Sequence, residues 1–250
     1  NIIPNDQHGS RAMRSTLTQL LAHWDTILDG LEEGGGVDVV YLDFSKAFDK
    51  VEHGVLLHKL KDCKVLGKVG VWLAKFLDSS TRQQAVVVDG RIAALSQVIS
   101  GVPQGTVLGP ILFLLHIADI SKGVSPLTTL KSYVDDTRVQ RCIKDPAADC
   151  SALQSDLATI YNWAEEVEMV FNGDKFEALR YWPGKTTQPD SPYLDPLGLP
   201  IEEKSHLRDL VFCCCFFLGN DCTFSAHVEK TVAVGNKLVG WTMRSFSRRS

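Results

Sequence analysis

The sequence predicts an α+β fold in which helices cover one face of an antiparallel sheet. Three observations carry that expectation: amphipathic stretches alternate with short β-prone runs, two of those runs are separated by only two residues, and apolar content suffices for a core. The 250 residues are 44% hydrophobic and 22% charged, the balance of an ordinary globular chain rather than a disordered one. The longest apolar run, Ile111 to Leu115, is interrupted by His116 and Asp119. It falls far short of the roughly 20 residues that span a bilayer, so no membrane partner is expected.

Taken in order, Leu17, Leu20, Leu21, Trp24, Ile27, Leu28 and Leu31 fall on one helical face, and Gly34-Gly35-Gly36 ends the pattern. Val37 to Phe44 reads as a buried strand with a carboxylate, Asp43, near its end. A helix follows Gly54, and a second covers Val69 to Leu77. Gln84 to Val88, the Asp89-Gly90 turn and Arg91 to Leu95 form a hairpin signal. Pro110 to Ile120 reads as a helix with proline in its first turn. Leu127 to Val134 and Thr137 to Ile143 predict a hairpin with Asp135 and Asp136 at its tip. Asp145-Pro146 starts a helix continued by Leu153, Leu157, Ile160, Ala164 and Val167. Phe176 to Trp182 is strand-like, and the prolines between Pro183 and Pro200 mark an exposed loop or a boundary. Leu207 to Leu218 is apolar and β-prone, and His227 to Trp241 is helix-like.

A net charge of −4 lacks the basic excess usual for nucleic-acid binders. Carboxylates that hold metal ions would offset basic residues elsewhere, so local clusters such as Arg244, Arg248 and Arg249 are more informative, although a solvated chain end reads the same way. Seven cysteines have no framework spacing, and adjacent Cys213, Cys214 and Cys215 cannot pair without severe strain. A reducing intracellular setting, nucleus or cytoplasm, is expected. The triplet lacks the spaced-pair pattern of a thiolate site and reads better as small buried apolar residues. Asn1-Ile2-Ile3-Pro4 offers neither an initiator Met nor a signal peptide, so the chain is expected to begin inside a longer protein.

Asp43 at one strand end and Asp135 with Asp136 at a hairpin tip would converge if the strands pair side by side. Clustered carboxylates raise one another's pKa, and a divalent metal relieves the repulsion. Mg²⁺ takes one or two protein carboxylates and completes its shell with water and phosphate, and two ions about 4 Å apart suit in-line phosphoryl transfer. Spacing alone is weak support, because Asp-Asp pairs are also ordinary turn chemistry.

Three segments sharpen this. Asp43-Phe44-Ser45-Lys46-Ala47-Phe48-Asp49-Lys50-Val51, Ser100-Gly101-Val102-Pro103-Gln104-Gly105-Thr106-Val107-Leu108-Gly109-Pro110 and Tyr133-Val134-Asp135-Asp136 resemble, in order, the signature motifs of non-LTR (LINE-type, jockey-like) reverse transcriptases. Gln7-His8-Gly9, Arg82-Gln83, Asn172 with Lys175, and Arg244-Ser245-Phe246 resemble further family elements, so the likeness covers nearly the whole chain. It implies a right-hand polymerase with partial fingers and palm in 1–182, a Pro-rich loop in 183–203, and the end of the palm with a partial thumb in 204–250.

The implied activity is RNA-directed DNA synthesis, with RNA template, DNA primer and dNTPs as partners and two Mg²⁺ ions as cofactors, Mn²⁺ being an alternative. By matching position, Asp43 and Asp135 are the principal metal ligands. Asp136 is a weaker or outer one, since neighbouring side chains on a strand point to opposite faces. Phe48 resembles the bulky residue that excludes a ribose 2′-hydroxyl; outside the motif it reads as a core aromatic. Gln104 and Gly105 would lie against the incoming nucleotide, where glycines let backbone approach closely. Lys175 would approach the leaving pyrophosphate as general acid or point charge, or be a solvated lysine. Tyr133 would pack beneath the primer end or serve structure alone.

The sequence departs from the family pattern at the front, where basic finger residues are missing, and at the apolar Val211 to Gly219, where a glycine and a short strand are usual. Phe176 replaces a small hydroxyl residue and His116 an aromatic one. These departures motivate a second expectation, a catalytically inactive polymerase-fold domain that binds nucleic acid or a protein partner.

Overall fold

The computed structural model describes residues 2–80, 82–182, 191–209 and 216–219, with short helical pieces at 228–229, 231–233 and 236–237. Helix α1 (Thr16–Glu32) is started by Ser15, whose side chain accepts from the Thr18 amide while the Thr18 hydroxyl accepts from the Ser15 amide. That reciprocal cap satisfies two amides left over at a helix start. Strand β1 (Gly36–Leu42) follows, then helices α2 (His53–Asp62) and α3 (Gly67–Leu77). The glycine-turned hairpin is present as β3 (Val87–Val88) and β4 (Arg91–Ile92), extended outward by β2 (Gln83–Gln84) paired with β5 (Ser96–Gln97). Asp89 and Gly90 both take positive φ, 49° and 76°, as a two-residue turn of this kind requires. Next come α4 (Leu108–His116), β6 (Thr128–Tyr133), β7 (Asp136–Ile143), α5 (Pro146–Glu166), β8 (Glu177–Tyr181) and β9 (Glu202–Lys204).

The main sheet runs β6-β7-β1-β8-β9, antiparallel except for the β8/β9 pair. Val40, Leu42, Leu130, Val139 and Ala178 project to one face, where Leu56, Leu112, Phe113, Leu153, Leu157 and Ile160 of α2, α4 and α5 bury them. Helices were expected on one face only, but α1 lies on the opposite one. There Leu20 and Ile27 pack with Val37, Val39, Leu179 and Tyr181. The alternation of β1 explains this: Val37, Val39 and Tyr41 are as apolar as their neighbours, so both faces need cover.

Two other expectations change. The hairpin tip is Val134-Asp135, not Asp135-Asp136: Asp136 already pairs with Tyr133 at the start of β7. The stretch from Ser191 to Pro200 is also not simply exposed loop, because Tyr193 is buried in the core, as is Ile201 just after it. The reason is Asp38, fully buried on β1, whose carboxylate accepts from the Tyr193 hydroxyl at 2.6 Å and Trp182 Nε1 at 2.8 Å and lies 3.6 Å from Arg180 Nε. A buried carboxylate without such partners would be very costly. Burial still pushes its pKa up, opposed by those donors and by Arg180.

The apolar run expected from Leu207 to Leu218 contains two short antiparallel strands, β10 (His206–Asp209) and β11 (Phe216–Gly219). Cys213, Cys214 and Cys215, and Arg244 to Ser250, lie outside the described residues. No helix among the described residues is long and apolar enough to cross a membrane.

Candidate active site

The register of β1 against β7 pairs Leu42 with Thr137, so the chain leaves the ladder at Asp43 beside the point where β7 begins. Asp43 is then fixed from the other side: its carbonyl accepts from the Asn172 amide at 2.8 Å, and the Ser45 amide donates to the Val170 carbonyl at 2.8 Å. Phe44 bridges to Phe171 and stacks on its ring at 4.5 Å. The residue after Asp43 is thus a core anchor, and the carboxylate is left facing out at a quarter of full exposure.

Asp135 sits in the β6–β7 turn. Burial raises its pKa above the usual carboxylate value; its own amide and Lys175 oppose that shift, while the negative charge of Asp43 adds to it. Lys175 ends a short 3-10 turn (Gly173–Lys175) and extends Nζ to Asp43 Oδ2 at 3.0 Å. Its pKa is raised, first by that hydrogen bond and charge, with further contributions from Asp136 and Asp135. Asp43, Asp135, Asp136 and Lys175, spread over 133 positions of sequence, therefore share one electrostatic neighbourhood. Asp136 is the exposed member, in keeping with the strand alternation expected of it.

The second motif folds back onto the first. Gly101 donates to the Val51 carbonyl and Val102 to the Phe48 carbonyl, each at 2.8 Å, and the Ser100 hydroxyl donates to the Asp49 carbonyl at 2.9 Å. His53, buried, donates Nε2 to the Gly101 carbonyl at 2.8 Å. Gly101 has φ +88°, and a Cβ there would stand 2.9 Å from the Asp49 carbonyl oxygen, so only glycine fits this crossing. Further along the loop, Gln104 donates Nε2 to Asp49 Oδ1 at 2.8 Å, and Gly105 at φ +76° stands in open space.

Phe48 is half-buried and stacks on the buried Phe113 ring at 4.6 Å. It is therefore partly the core aromatic that its bland reading predicts. Tyr133 ends β6, half-buried, on the strand face it shares with Lys131. The eight site residues expected from sequence thus fall just past the end of β1, at the β6–β7 turn and the strand ends that flank it, and on the three loops after β1, before α4 and before β8. Sequence reasoning missed His53 and the contact its ring makes, since a lone histidine at a helix start carries no signal of a partner 48 residues away.

Whether this donor set suits a divalent ion turns on its chemistry. Among the described residues no three His, Cys, Asp or Glu side chains crowd into one cluster. What is present is two mutually repelling carboxylates with a lysine as counter-charge, and Mg²⁺ customarily uses one or two protein carboxylates with phosphate and water for the rest. The residues fit such an ion.

Residues 1–206 match the family model described as reverse transcriptase (RNA-dependent DNA polymerase). Over 180 residues, 69% of this chain and 19% of the relative, the sequence is 32% identical to the RNA-directed DNA polymerase from mobile element jockey of Drosophila melanogaster. It is 29% identical over 233 residues, 91% of this chain and 24% of the relative, to the probable RNA-directed DNA polymerase from transposon X-element of the same fly. The chain thus spans about a fifth to a quarter of the length of these relatives. Among solved structures, apo telomerase from Candida tropicalis truncated from its C-terminal domain superposes with a TM-score of 0.52 at 13% identity, over 68% of this chain and 36% of that one. That likeness concerns the fold, which is a right-hand polymerase fold built on the antiparallel sheet described above. With a family model that covers most of its length and a relative 32% identical over 69% of it, the chain belongs to the reverse transcriptase family.

Proposed function

We propose that this chain carries the palm and part of the fingers of an RNA-directed DNA polymerase from a non-LTR retrotransposon, adding dNTPs to a primer 3′-hydroxyl on an RNA template. The observation that carries the reading is the meeting of Asp43 and Asp135 beside Lys175 at the end of the sheet. In this reading Asp43 and Asp135 hold two Mg²⁺ ions, or Mn²⁺, and Asp136 lies in the outer sphere. Bound there, the ions would lower the pKa of the primer hydroxyl and neutralise charge on the transferring phosphate.

The chain's own groups do the rest. Lys175 is protonated and close enough to exchange Asp43 for a phosphate oxygen, so its Nζ supplies a proton or a point charge to the leaving pyrophosphate. Phe48, held by Phe113 on one side, presents its remaining edge where a ribose 2′-hydroxyl would sit. Gln104 and Gly105 form the loop against the incoming nucleotide, and Tyr133 supports the primer end. The domain division follows: fingers and palm in 1–182, a connecting segment in 183–203, the end of the palm and start of the thumb in 204–250. Because β9 (Glu202–Lys204) pairs with β8, the palm sheet takes its last strand from the end of the connecting segment.

The test is RNA-templated primer extension by the purified chain with Mg²⁺ or Mn²⁺, alongside Asp43→Asn and Asp135→Asn. Incorporation that both substitutions remove supports the proposal. A chain that binds primer-template and never extends it would return the reading to an inactive polymerase-fold domain.

A further inference from the structure

We infer that Gln7 is a positioning residue for Asp135, clamping the turn that aims this carboxylate. The inference rests on reading Asp135 as a metal ligand.

Val134 precedes Asp135 with φ +60°, the left-handed region. A β-branched residue is a true outlier there, and it stays only where its surroundings over-determine it. The surroundings come from 127 positions away. Gln7 is buried, with 4% exposure, and its amide spans both backbone groups of Val134: Nε2 donates to the Val134 carbonyl at 3.0 Å, and Oε1 accepts from the Val134 amide at 2.8 Å. The same Oε1 accepts from the Gly9 amide at 2.8 Å, which fixes the orientation of the side-chain amide. Gln7 therefore imitates a strand partner at a point where β6 has left its ladder.

The segment that carries Gln7 is itself docked on β6. His8 donates its amide to the Ser132 carbonyl at 2.9 Å, the Ser132 amide donates to the Asp6 carbonyl at 3.0 Å, and Lys131 pairs with Asp6 at 2.7 Å. Gly9 completes the clamp by absence, because a Cβ there would lie 2.4 Å from Val134 Cγ2 and 2.5 Å from the Val134 nitrogen. Gln7 and Gly9 act on the turn that orients Asp135, while Asp6 and His8 hold their segment against β6. Gln7 thus acts through another residue, its side-chain amide being engaged by Val134 and Gly9.

The test uses the full chain and three variants: Gln7→Met, which keeps volume and removes both hydrogen bonds to Val134; Asp6→Asn, which loosens the same segment away from the turn; and Gln7→Met with Val134→Gly. Amide hydrogen exchange at Val134 and Mn²⁺ affinity by electron paramagnetic resonance are measured, with circular dichroism to verify folding. The expected result is roughly tenfold faster exchange at Val134 and roughly tenfold weaker Mn²⁺ binding in Gln7→Met, with Asp6→Asn near the parent. Glycine holds φ +60° without a clamp, so the double variant should recover most of the lost Mn²⁺ affinity. A folded Gln7→Met protein with parental exchange at Val134 would overturn the clamp itself. Weakened Mn²⁺ binding with no recovery in the double variant would overturn the route through Val134. Failure of the metal reading is separately visible, as Mn²⁺ binding that survives Asp135→Asn in an otherwise parental chain.

Discussion

Replacing Gly101 with Ala tests whether the crossing of the two motif loops is as tight as its geometry indicates, and replacing Gly105 with Ala supplies the comparison. Both glycines have positive φ, +88° and +76°, so each alanine incurs a backbone cost of about 1–2 kcal/mol. Both changes also restrict the unfolded chain in the same way, a contribution that cancels between them. Only Gly101 has backbone in the way: its new Cβ would lie 2.9 Å from the Asp49 carbonyl oxygen, 3.0 Å from Asp49 Cα and 3.1 Å from the Phe48 carbonyl oxygen, whereas Gly105 meets nothing within 4 Å. The loop must move away, and moving it breaks some of the bonds to Val51, Phe48 and His53. At about 0.5–1.5 kcal/mol net for each bond, losing two adds about 1–3 kcal/mol. Gly101→Ala should therefore cost about 2–5 kcal/mol and Gly105→Ala about 1–2 kcal/mol, before the unfolded-chain contribution they share. Urea denaturation followed by far-UV circular dichroism reads the difference directly. Equal costs within about 0.5 kcal/mol would refute the tight crossing and, with it, the claim that the second motif is held in place by the first.

Asp135→Asn should separate function from stability. Ionising Asp135 costs the fold stability above its unfolded pKa, because burial and Asp43 raise the folded value, so the neutral variant should be at least as stable as the parent at pH 7 while polymerisation falls by about 10²-fold or more. Thermal melts and incorporation rates check the two halves, and near-normal incorporation would reject the site. Phe48→Ala should raise rNTP use relative to dNTP use, measured as a ratio of incorporation efficiencies; an unchanged ratio would leave Phe48 as a core aromatic stacked on Phe113. Acid should destabilise the fold through buried histidines. His116 is lowered to about 4 and His23 to about 3, chiefly by burial, so below the ordinary value of 6.5 the unfolded chain binds protons that the folded one refuses. Each then costs about 2 kcal/mol between pH 6.5 and pH 5. His116→Phe, which also removes two buried ring nitrogens that have no hydrogen-bond partner among the described residues, should abolish its share, and urea midpoints unchanged in their pH dependence would refute that account.

The sequence by itself determined the local elements and the chemistry on offer. Asp145 caps the helix it was expected to start, Asp89-Gly90 makes its hairpin, and Asp43, Asp135 and Lys175 sit at the ends of β-prone runs where motif resemblance located them. These are consequences of neighbouring residues, which capping, periodicity and turn preferences report. Tertiary structure alone decided which residues fix the acids in space. The one-position shift of the hairpin tip to Val134-Asp135 depends on Gln7, 127 positions earlier, supplying hydrogen bonds to a strained backbone. The burial of Tyr193, in a proline-rich stretch that reads as exposed, depends on the need of Asp38 for donors 155 positions away. Placement of α1 on the second face of the sheet followed from two-sided apolar strands, a pattern that says both faces must be covered and leaves open which helix covers which. In each case a buried polar group or a bare apolar face had to find a partner. Its identity is a property of the folded arrangement, because no local preference encodes a hydrogen bond across more than a hundred residues.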